Sequence, residues 1–182
     1  AARGSRSRRA PAHPPPTSAP LSAALRQAHE GLENAESDMH EVAPGLFLGG
    51  ERAALEWEGL QSRGIGAVVN CAAEIASPFG TRGVAYLYPD LDDHDPESLG
   101  RAFAESSAFI SAAFIRGEAA LVHCFEGRSR SAAVVVAHLM ISRHATFAEA
   151  LETVQLRRPL VRERPPSRWF LARLAALEGE LK

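Results

Sequence analysis

The chain has 182 residues, 46% of them hydrophobic, and a formal net charge of -2 at pH 7. This length suits one folded domain with a sizeable core, and the near-neutral charge excludes nucleic-acid binding that depends on overall basicity. We therefore expect no nucleic acid as a partner. No hydrophobic run is long enough to predict a membrane span, so we expect no membrane partner either. Two cysteines are too few for a disulfide-stapled secreted scaffold, which favours the cytoplasm or the nucleus.

Residues 1–40 are rich in arginine, serine and proline, and no acidic residue precedes Glu30. A segment of this composition cannot bury a core, so we interpret it as a disordered tail. The same composition is typical of a transit peptide, which leaves a plastid or a mitochondrion open as an alternative location.

The folded domain is expected from residue 41 to residue 182. Apolar residues and glycines between Val42 and Gly50 predict two short strands around a turn, and the spacing of apolar residues over 53–60 predicts a helix. The short apolar runs 67–69 and 84–87 predict buried strands, as in a parallel sheet.

The second half of the chain continues this alternation. Asp95 followed by Pro96 predicts a helix start, residues 119–123 a buried strand, and residues 131–142 a helix. Thr146 and Glu149 form a capping box for a helix ending near Arg157, and a last helix is predicted over 167–181. Strands that alternate with helices predict an α/β fold: a mostly parallel sheet of about five strands with helices on both faces.

The most informative segment is the strand that ends in His123-Cys124, followed by a loop with Gly127 and then by a helix. We call residues 124–130 the phosphate loop. A loop that closes onto a helix N-terminus directs several backbone N–H groups to one point, where an anion binds. The positive field lowers the pKa of a thiol placed there, so the thiol loses its proton more readily. Arg130 can hold two phosphate oxygens with its planar guanidinium.

This pattern resembles the signature of the cysteine-dependent protein tyrosine phosphatases: His-Cys, five further residues, then Arg-Ser. The form Gly127-Arg128-Ser129-Arg130-Ser131 resembles the dual-specificity branch, and the similarity runs from about Glu41 to Leu177. The resemblance implies a phosphatase-type fold and a catalytic domain over residues 41–182.

The resemblance also implies a role for each residue of the motif. Cys124 would attack phosphorus, Arg130 would hold the phosphate oxygens, and Ser131 would help the thiolate leave. His123 would orient the loop and help lower the pKa of the cysteine. The remaining loop residues would bind phosphate: Phe125, Glu126, Gly127, Arg128 and Ser129. No cofactor and no metal is implied.

The reaction needs an acid that protonates the leaving oxygen. The acidic segment 90–95 lies between a strand and a helix, which suits a loop at the edge of the sheet. In the family the acid lies about thirty residues before the cysteine and about ten before a phenylalanine, which favours Asp93. Asp92 remains a competitor, and Asp95 is better explained as the helix cap.

The implied function is hydrolysis of phosphotyrosine and of phosphoserine or phosphothreonine in proteins, with a kinase activation loop among the candidate substrates. The alternatives are a weak or inactive phosphoprotein-binding module of the same fold, and a phosphatase for a lipid, glucan or RNA phosphoester. A monomer is expected, although the sequence leaves the oligomeric state open.

Three further features carry weaker expectations. Asn70 ends a buried strand and is expected to brace neighbouring loops, and the adjacent Cys71 is either inert packing or a partner of Cys124 on oxidation. For the basic stretch 157–168 two interpretations are open: its arginines recruit a second phosphate or acidic residues on the substrate, or they form a basic surface that is simply exposed to solvent. Here the family's Pro-Asn-x-Gly-Phe is replaced by residues 165–170 without Asn or Gly, which puts the usual contacts of this segment with the phosphate loop in doubt.

Overall fold

The structure, a computed structural model, describes residues 38–92 and 95–182. The predicted tail, residues 1–40, lies outside the described residues except for its last three, and Asp93 lies outside them as well. The described part opens with the predicted strand pair: β1 (Met39–Ala43) and β2 (Leu46–Gly49) form an antiparallel hairpin. The turn uses Gly45 at φ +73°, a left-handed conformation that glycine adopts without steric cost.

Five strands form one sheet in the order β1-β2-β5-β3-β4. The remaining strands are β3 (Ile65–Asn70), β4 (Ala85–Leu87) and β5 (Ala119–His123). β2 with β5, β5 with β3, and β3 with β4 are parallel pairs, so the sheet is mostly parallel, as predicted. The central strand β5 is buried almost throughout, which explains why its sequence is apolar without alternation.

One face of the sheet is covered by two short helices where the sequence predicted one. Helix α1 (Glu51–Leu55) and helix α2 (Trp57–Ser62) are separated by Glu56, whose backbone is extended at φ -99° and ψ 100°. The extended residue redirects the chain, and the Trp57 ring then packs 5.2 Å from the Phe79 ring, centroid to centroid. The prediction of a single helix was therefore wrong. The break accompanies a contact between residues far apart in the sequence, which the local spacing of apolar residues does not reveal.

The other face carries the larger core. Its helices are α3 (Pro96–Ile115), α4 (Arg130–Arg143), α5 (Phe147–Arg157), α6 (Pro159–Glu163) and α7 (Arg168–Glu180). All residues of α4 from Ser131 to Met140 are buried, because this helix lies between the sheet and its neighbours. The five-residue helix α6 was not predicted.

The helix starts follow the predicted signals. Asp95 caps α3 by accepting hydrogen bonds from the backbone of Glu97 and Ser98, and Pro96 occupies the first turn. Thr146 and Glu149 form the predicted capping box of α5. Among the described residues, no helix is both long and apolar enough to cross a membrane.

Candidate active site

The two cysteines lie side by side at the carboxyl edge of the sheet. Cys124 directly follows β5 and Cys71 directly follows β3, and the two strands pair in register at Asn70 and His123. The backbone N–H of Cys71 donates to the carbonyl of His123 over 2.9 Å. Both cysteines are unpaired thiols and both are buried. This edge of a parallel sheet is where ligands bind in open α/β folds.

The Cys124 sulfur is surrounded by hydrogen-bond donors. Burial by itself would raise its pKa, but the hydroxyl of Ser131 and the backbone N–H groups of Ser131, Gly127 and Arg128 outweigh burial, and the pKa falls below the ordinary value of 9.0. The distance from the Cys124 Sγ to the Ser131 Oγ is 3.1 Å. Each of these donors stabilises the thiolate more than the thiol, so the site favours a nucleophilic sulfur anion.

The phosphate loop turns sharply at Gly127 before it enters α4. Gly127 has φ +67°, and a Cβ at this position would collide with the backbone of Gly49 and with the guanidinium of Arg158. Helix α4 then begins at Arg130 with Ser129 as its N-terminal flanking residue. The positive end of the helix dipole therefore faces the loop in which Cys124 lies.

Arg130 lies at the mouth of the loop. Its guanidinium carbon is 5.6 Å from the centre of the Phe125 ring, and its Nη1 is 3.5 Å from the Oε1 of Glu74. The Arg130 side chain is about one-third exposed. Arginine presents a fixed fork of donors that matches phosphate oxygens, so this placement at the entrance suits anion binding.

His123 is completely buried at the end of β5. Burial lowers its pKa to about 4, so the imidazole is neutral at pH 7. A hydrogen bond with the backbone of Cys124 opposes the effect of burial on this pKa, but only in part. A neutral ring adds no positive charge beside Cys124, and the donors that lower the cysteine pKa belong to the phosphate loop and Ser131.

Two carboxylates of the acidic segment before α3 accept hydrogen bonds that stabilise the start of this helix. Asp95 caps α3, as expected, and the Asp90 carboxylate accepts a hydrogen bond of 3.1 Å from the hydroxyl of Ser98. The backbone carbonyl of Asp92 accepts from the N–H of Asp95. Asp93 lies outside the described residues, so the assignment of the acid to Asp93 over Asp92 stays a prediction.

Arg158 is the site residue that the sequence reasoning did not single out. It is 3% exposed and lies behind the phosphate loop. Its Nε donates to the carbonyl of Gly127 and its Nη2 to the carbonyl of Glu126, both over 2.7 Å. Its Nη1 donates to the Asp38 carbonyl over 3.0 Å and to the His40 Nδ1 over 2.7 Å. Nη2 also lies 3.2 Å from the Asp38 carboxylate.

One guanidinium thus ties the phosphate loop to the start of β1. Arg158 donates to two loop carbonyls, and this orients the loop peptides with their N–H groups on the other side, toward Cys124. The signal in the sequence was limited to an arginine followed by a proline at 158–159, within the basic stretch 157–168. Nothing local indicated that this arginine would be buried.

The segment after α6 retains contacts with the phosphate loop despite its altered sequence. The backbone N–H of Ser167 donates to the Ser129 hydroxyl over 3.2 Å, and the Arg164 Nη1 lies 3.2 Å from the Oε1 of Glu126. The first contact uses the main chain, so it does not require the missing Asn. Asn70 braces its neighbours as expected, donating to the Ile75 carbonyl over 2.9 Å.

A mostly parallel sheet whose central strand ends in a cysteine, with backbone N–H groups around its sulfur and a buried helix after the loop, is the arrangement expected of the cysteine-dependent phosphatases. A family model described as dual specificity phosphatase, catalytic domain, matches residues 46–176. Human dual specificity phosphatase 28 is 40% identical over 124 residues, which cover 68% of this chain and 70% of the relative. The crystal structure of human DUSP28 has a TM-score of 0.72 at 37% identity, covering 80% of this chain and 95% of that chain.

The chain therefore belongs to the dual specificity phosphatases, a family of cysteine-dependent protein phosphatases, and the resemblance seen in the sequence is confirmed. Rat dual specificity protein phosphatase 12 is 37% identical over 144 residues, which cover 78% of this chain. The chain spans only 42% of the length of that rat relative.

Proposed function

We propose that this chain hydrolyses phosphotyrosine and phosphoserine or phosphothreonine in proteins through a cysteinyl-phosphate intermediate. The observation that carries the proposal is the environment of the Cys124 sulfur, where the hydroxyl of Ser131 and the backbone N–H groups of Ser131, Gly127 and Arg128 lower the pKa of a buried thiol. A thiolate at the bottom of an anion-binding loop is prepared to attack a bound phosphoryl group.

In the first step the Cys124 sulfur attacks phosphorus and the bond from phosphorus to the seryl, threonyl or tyrosyl oxygen breaks. Arg130 and the loop N–H groups hold the equatorial oxygens, whose charge grows in the transition state. Asp93 gives its proton to the departing oxygen. The products are the dephosphorylated protein and cysteinyl phosphate.

In the second step a water molecule attacks phosphorus and the phosphorus–sulfur bond breaks. The Asp93 carboxylate takes a proton from the water, which restores the acid for the next cycle. The Ser131 hydroxyl, 3.1 Å from the Cys124 sulfur, donates to the departing thiolate. Inorganic phosphate is released, and the step requires no cofactor.

The primary experiment measures hydrolysis of para-nitrophenyl phosphate, a phosphotyrosine peptide and a phosphothreonine peptide. Wild type is expected to be active, Cys124→Ser inactive, and Arg130→Lys reduced by about 100- to 1,000-fold, because lysine keeps the charge but loses the fork. Rapid acid quenching and mass spectrometry should find the phosphate on Cys124. If wild type is as inactive as Cys124→Ser, the proposal of an enzyme is contradicted and the phosphoprotein-binding module is favoured.

The acid is assigned by a matched pair of variants. Asp93→Asn should lower kcat by about 100- to 10,000-fold on a phosphothreonine peptide and abolish the basic limb of the pH–rate profile. The effect should be smaller on para-nitrophenyl phosphate, whose leaving group needs little protonation. Asp92→Asn should keep the basic limb, and the opposite result would transfer the role to Asp92.

We also propose phosphorylated proteins, including kinase activation loops, as substrates, and the cytoplasm or nucleus as the compartment. Two unpaired thiols, one of them nucleophilic, support a reducing environment. Capture of phosphoproteins from a lysate by Cys124→Ser, released by vanadate, tests the substrate class. Release of phosphate from phosphoinositides, glucans or RNA at higher kcat/KM than from phosphopeptides would contradict it.

A further inference from the structure

A cavity of about 300 Å³ lies between the ends of α3 and α4 and the turn before β2. Pro44 of this turn precedes β2, which runs parallel to β5, so the cavity lies at the amino edge of the sheet, whereas Cys124 lies at the carboxyl edge. Helix α4 begins at Arg130 and reaches the cavity at His138 and Arg143. With a rise of about 1.5 Å per residue, these two residues lie about 12 and 20 Å along α4 from Arg130. The cavity is therefore separate from the catalytic site.

The floor of the cavity is a buried imidazole. His138 is only 3% exposed, although it lines the cavity. Its Nδ1 lies 2.9 Å from the hydroxyl of Ser107, and its Nε2 lies 3.4 Å from the hydroxyl of Ser142. Ser107 is buried in α3, whereas Ser142 belongs to the cavity wall. The Nε2 side of the ring is therefore the side that faces the cavity.

The hydrogen bonds place the proton of this ring on Nε2. The Ser142 Oγ lies 2.7 Å from the backbone carbonyl of His138, and a carbonyl only accepts, so the single hydroxyl proton is donated there. Toward Nε2 the Ser142 oxygen can then only accept. Burial lowers the pKa of His138 to about 4, so the ring is neutral at pH 7 and carries one proton, on Nε2. Nδ1 accepts from the hydroxyl of Ser107.

The Nε2–H group of His138 makes only a long hydrogen bond. Its contact with the Ser142 oxygen spans 3.4 Å, beyond the range of about 2.7–3.2 Å that is usual for an N–H···O bond. A poorly paired donor in a buried place costs free energy, and an acceptor atom in the cavity would recover part of it. The floor of the cavity thus offers a hydrogen bond to an incoming oxygen atom.

The walls of the cavity supply a positive charge and apolar surface. Arg143, in the last turn of α4, lines the cavity, and its charge lowers the pKa of His138 in addition to burial. The Phe114 ring packs edge-on against the His138 ring, with centroids 5.9 Å apart. Ile115, which is 88% exposed, and Pro44 extend the apolar wall. An apolar pocket with a few converging polar groups is the usual form of a small-ligand site.

We propose that this cavity binds a small carboxylic acid with an apolar body. One carboxylate oxygen accepts from the Nε2–H of His138, and the single negative charge matches the charge of Arg143. The apolar body lies against Phe114, Ile115 and Pro44. At roughly 30 Å³ for each group of the size of a water molecule, the cavity accommodates an aryl or branched aliphatic carboxylate of on the order of ten non-hydrogen atoms.

The primary test is an NMR titration of the full chain with phenylacetate, and with phenylethanol as the uncharged comparator. Phenylacetate should bind with a dissociation constant on the order of 1 mM, and phenylethanol about three- to tenfold more weakly, because it lacks the charge. Equal binding of the two would overturn the proposal. A peptide with a carboxyl-terminal phenylalanine that binds more than about tenfold tighter than phenylacetate would also overturn it, because the cavity would then belong to a protein partner.

Two variants locate the binding at this cavity. Arg143→Gln should weaken phenylacetate by about three- to tenfold and leave phenylethanol unchanged. Ser111→Leu fills the cavity from α3 and should abolish binding of both; the Ser111 hydroxyl donates only within its own helix, to the Ser107 carbonyl, so the fold should persist. Arg101→Gln is the matched control, an exposed arginine near the start of α3 that should change neither affinity. Wild-type affinity for phenylacetate in Arg143→Gln would overturn the proposal.

The contact with His138 can be observed directly. Long-range proton–nitrogen NMR correlation spectra should show its Nε2 protonated in the free protein, and phenylacetate should shift the Nε2 signal. A ring protonated on Nδ1, or an Nε2 signal that phenylacetate leaves in place, would overturn the proposal. None of these measurements needs turnover, so a wild type that hydrolyses nothing would contradict the proposed function and leave this ligand site standing.

Discussion

Replacement of Arg158 by alanine should damage stability and catalysis together. The guanidinium donates to the carbonyls of Glu126 and Gly127 on one side and contacts Asp38 and His40 on the other. Arg158 is 3% exposed, so water reaches few of these partners in the folded protein. Alanine removes the donors and leaves the acceptors without this partner.

The cost can be worked out from those acceptors. Each buried polar group left without a partner costs about 1–3 kcal/mol, and removing one member of a buried ion pair costs about 3–5 kcal/mol. The Asp38 side chain is 23% exposed, so water compensates for part of its loss. We therefore expect Arg158→Ala to lower the free energy of unfolding by about 3–4 kcal/mol, out of the roughly 5–15 kcal/mol typical of a domain.

The catalytic effect follows from the orientation of the loop. Without Arg158 the peptides of Glu126 and Gly127 can rotate, and the N–H groups that hold the phosphate lose alignment. Misplacement by about 1 Å costs on the order of 100-fold, so kcat/KM for para-nitrophenyl phosphate should fall by about 10- to 100-fold at a temperature where the variant is folded. The pKa of Cys124 should rise toward its ordinary value, moving the acidic limb of the pH–rate profile upward.

Urea denaturation followed by circular dichroism, together with kinetics at pH 5 to 8, measures both effects. Arg158→Lys keeps the charge but concentrates its donors at one point, so its losses should be intermediate. Arg157→Ala is the matched control, since Arg157 is exposed and adjacent; its stability should change by less than about 0.5 kcal/mol. An Arg158→Ala variant that loses under about 1 kcal/mol and keeps its kcat/KM would refute the reasoning.

Three further predictions concern the glycine of the phosphate loop, two buried histidines and the second cysteine. Gly127→Ala should be folded poorly or be inactive, because alanine has neither the space nor the backbone conformation that this turn requires; near-wild-type activity would contradict the described loop. Burial lowers the pKa of His123 and His138 from the ordinary 6.5 to about 4. The unfolded chain therefore binds more protons between these values, and the free energy of unfolding, measured in urea, should fall by about 3 kcal/mol per histidine as the pH drops from 6.5 to 4. A flat profile would show that these rings are not desolvated. After mild peroxide, peptide mapping should find a Cys71–Cys124 disulfide that reduction reverses, and Cys71→Ser should lose activity irreversibly; a Cys124 never linked to Cys71 would leave Cys71 as inert packing.

The phosphate loop was predictable because its parts are contiguous. A buried strand, a cysteine, a glycine turn, an arginine and an apolar helix follow one another within a dozen residues, and short-range sterics then fix how the backbone closes. Helix starts at Asp95 and Thr146 were predictable for the same reason, since each cap bonds to residues two or three positions away.

Tertiary structure alone decided which distant groups hold that loop. Arg158 reaches across 31 residues to Gly127 and across 120 residues to Asp38, and no local pattern records such a contact. The break at Glu56 and the Glu126 bridge to Arg164 likewise depend on how separate elements pack. Local hydrogen bonds and turn conformations depend on residues close together in the sequence, so the sequence predicts them. The burial of a charged side chain depends on elements that pack around it only in the folded chain.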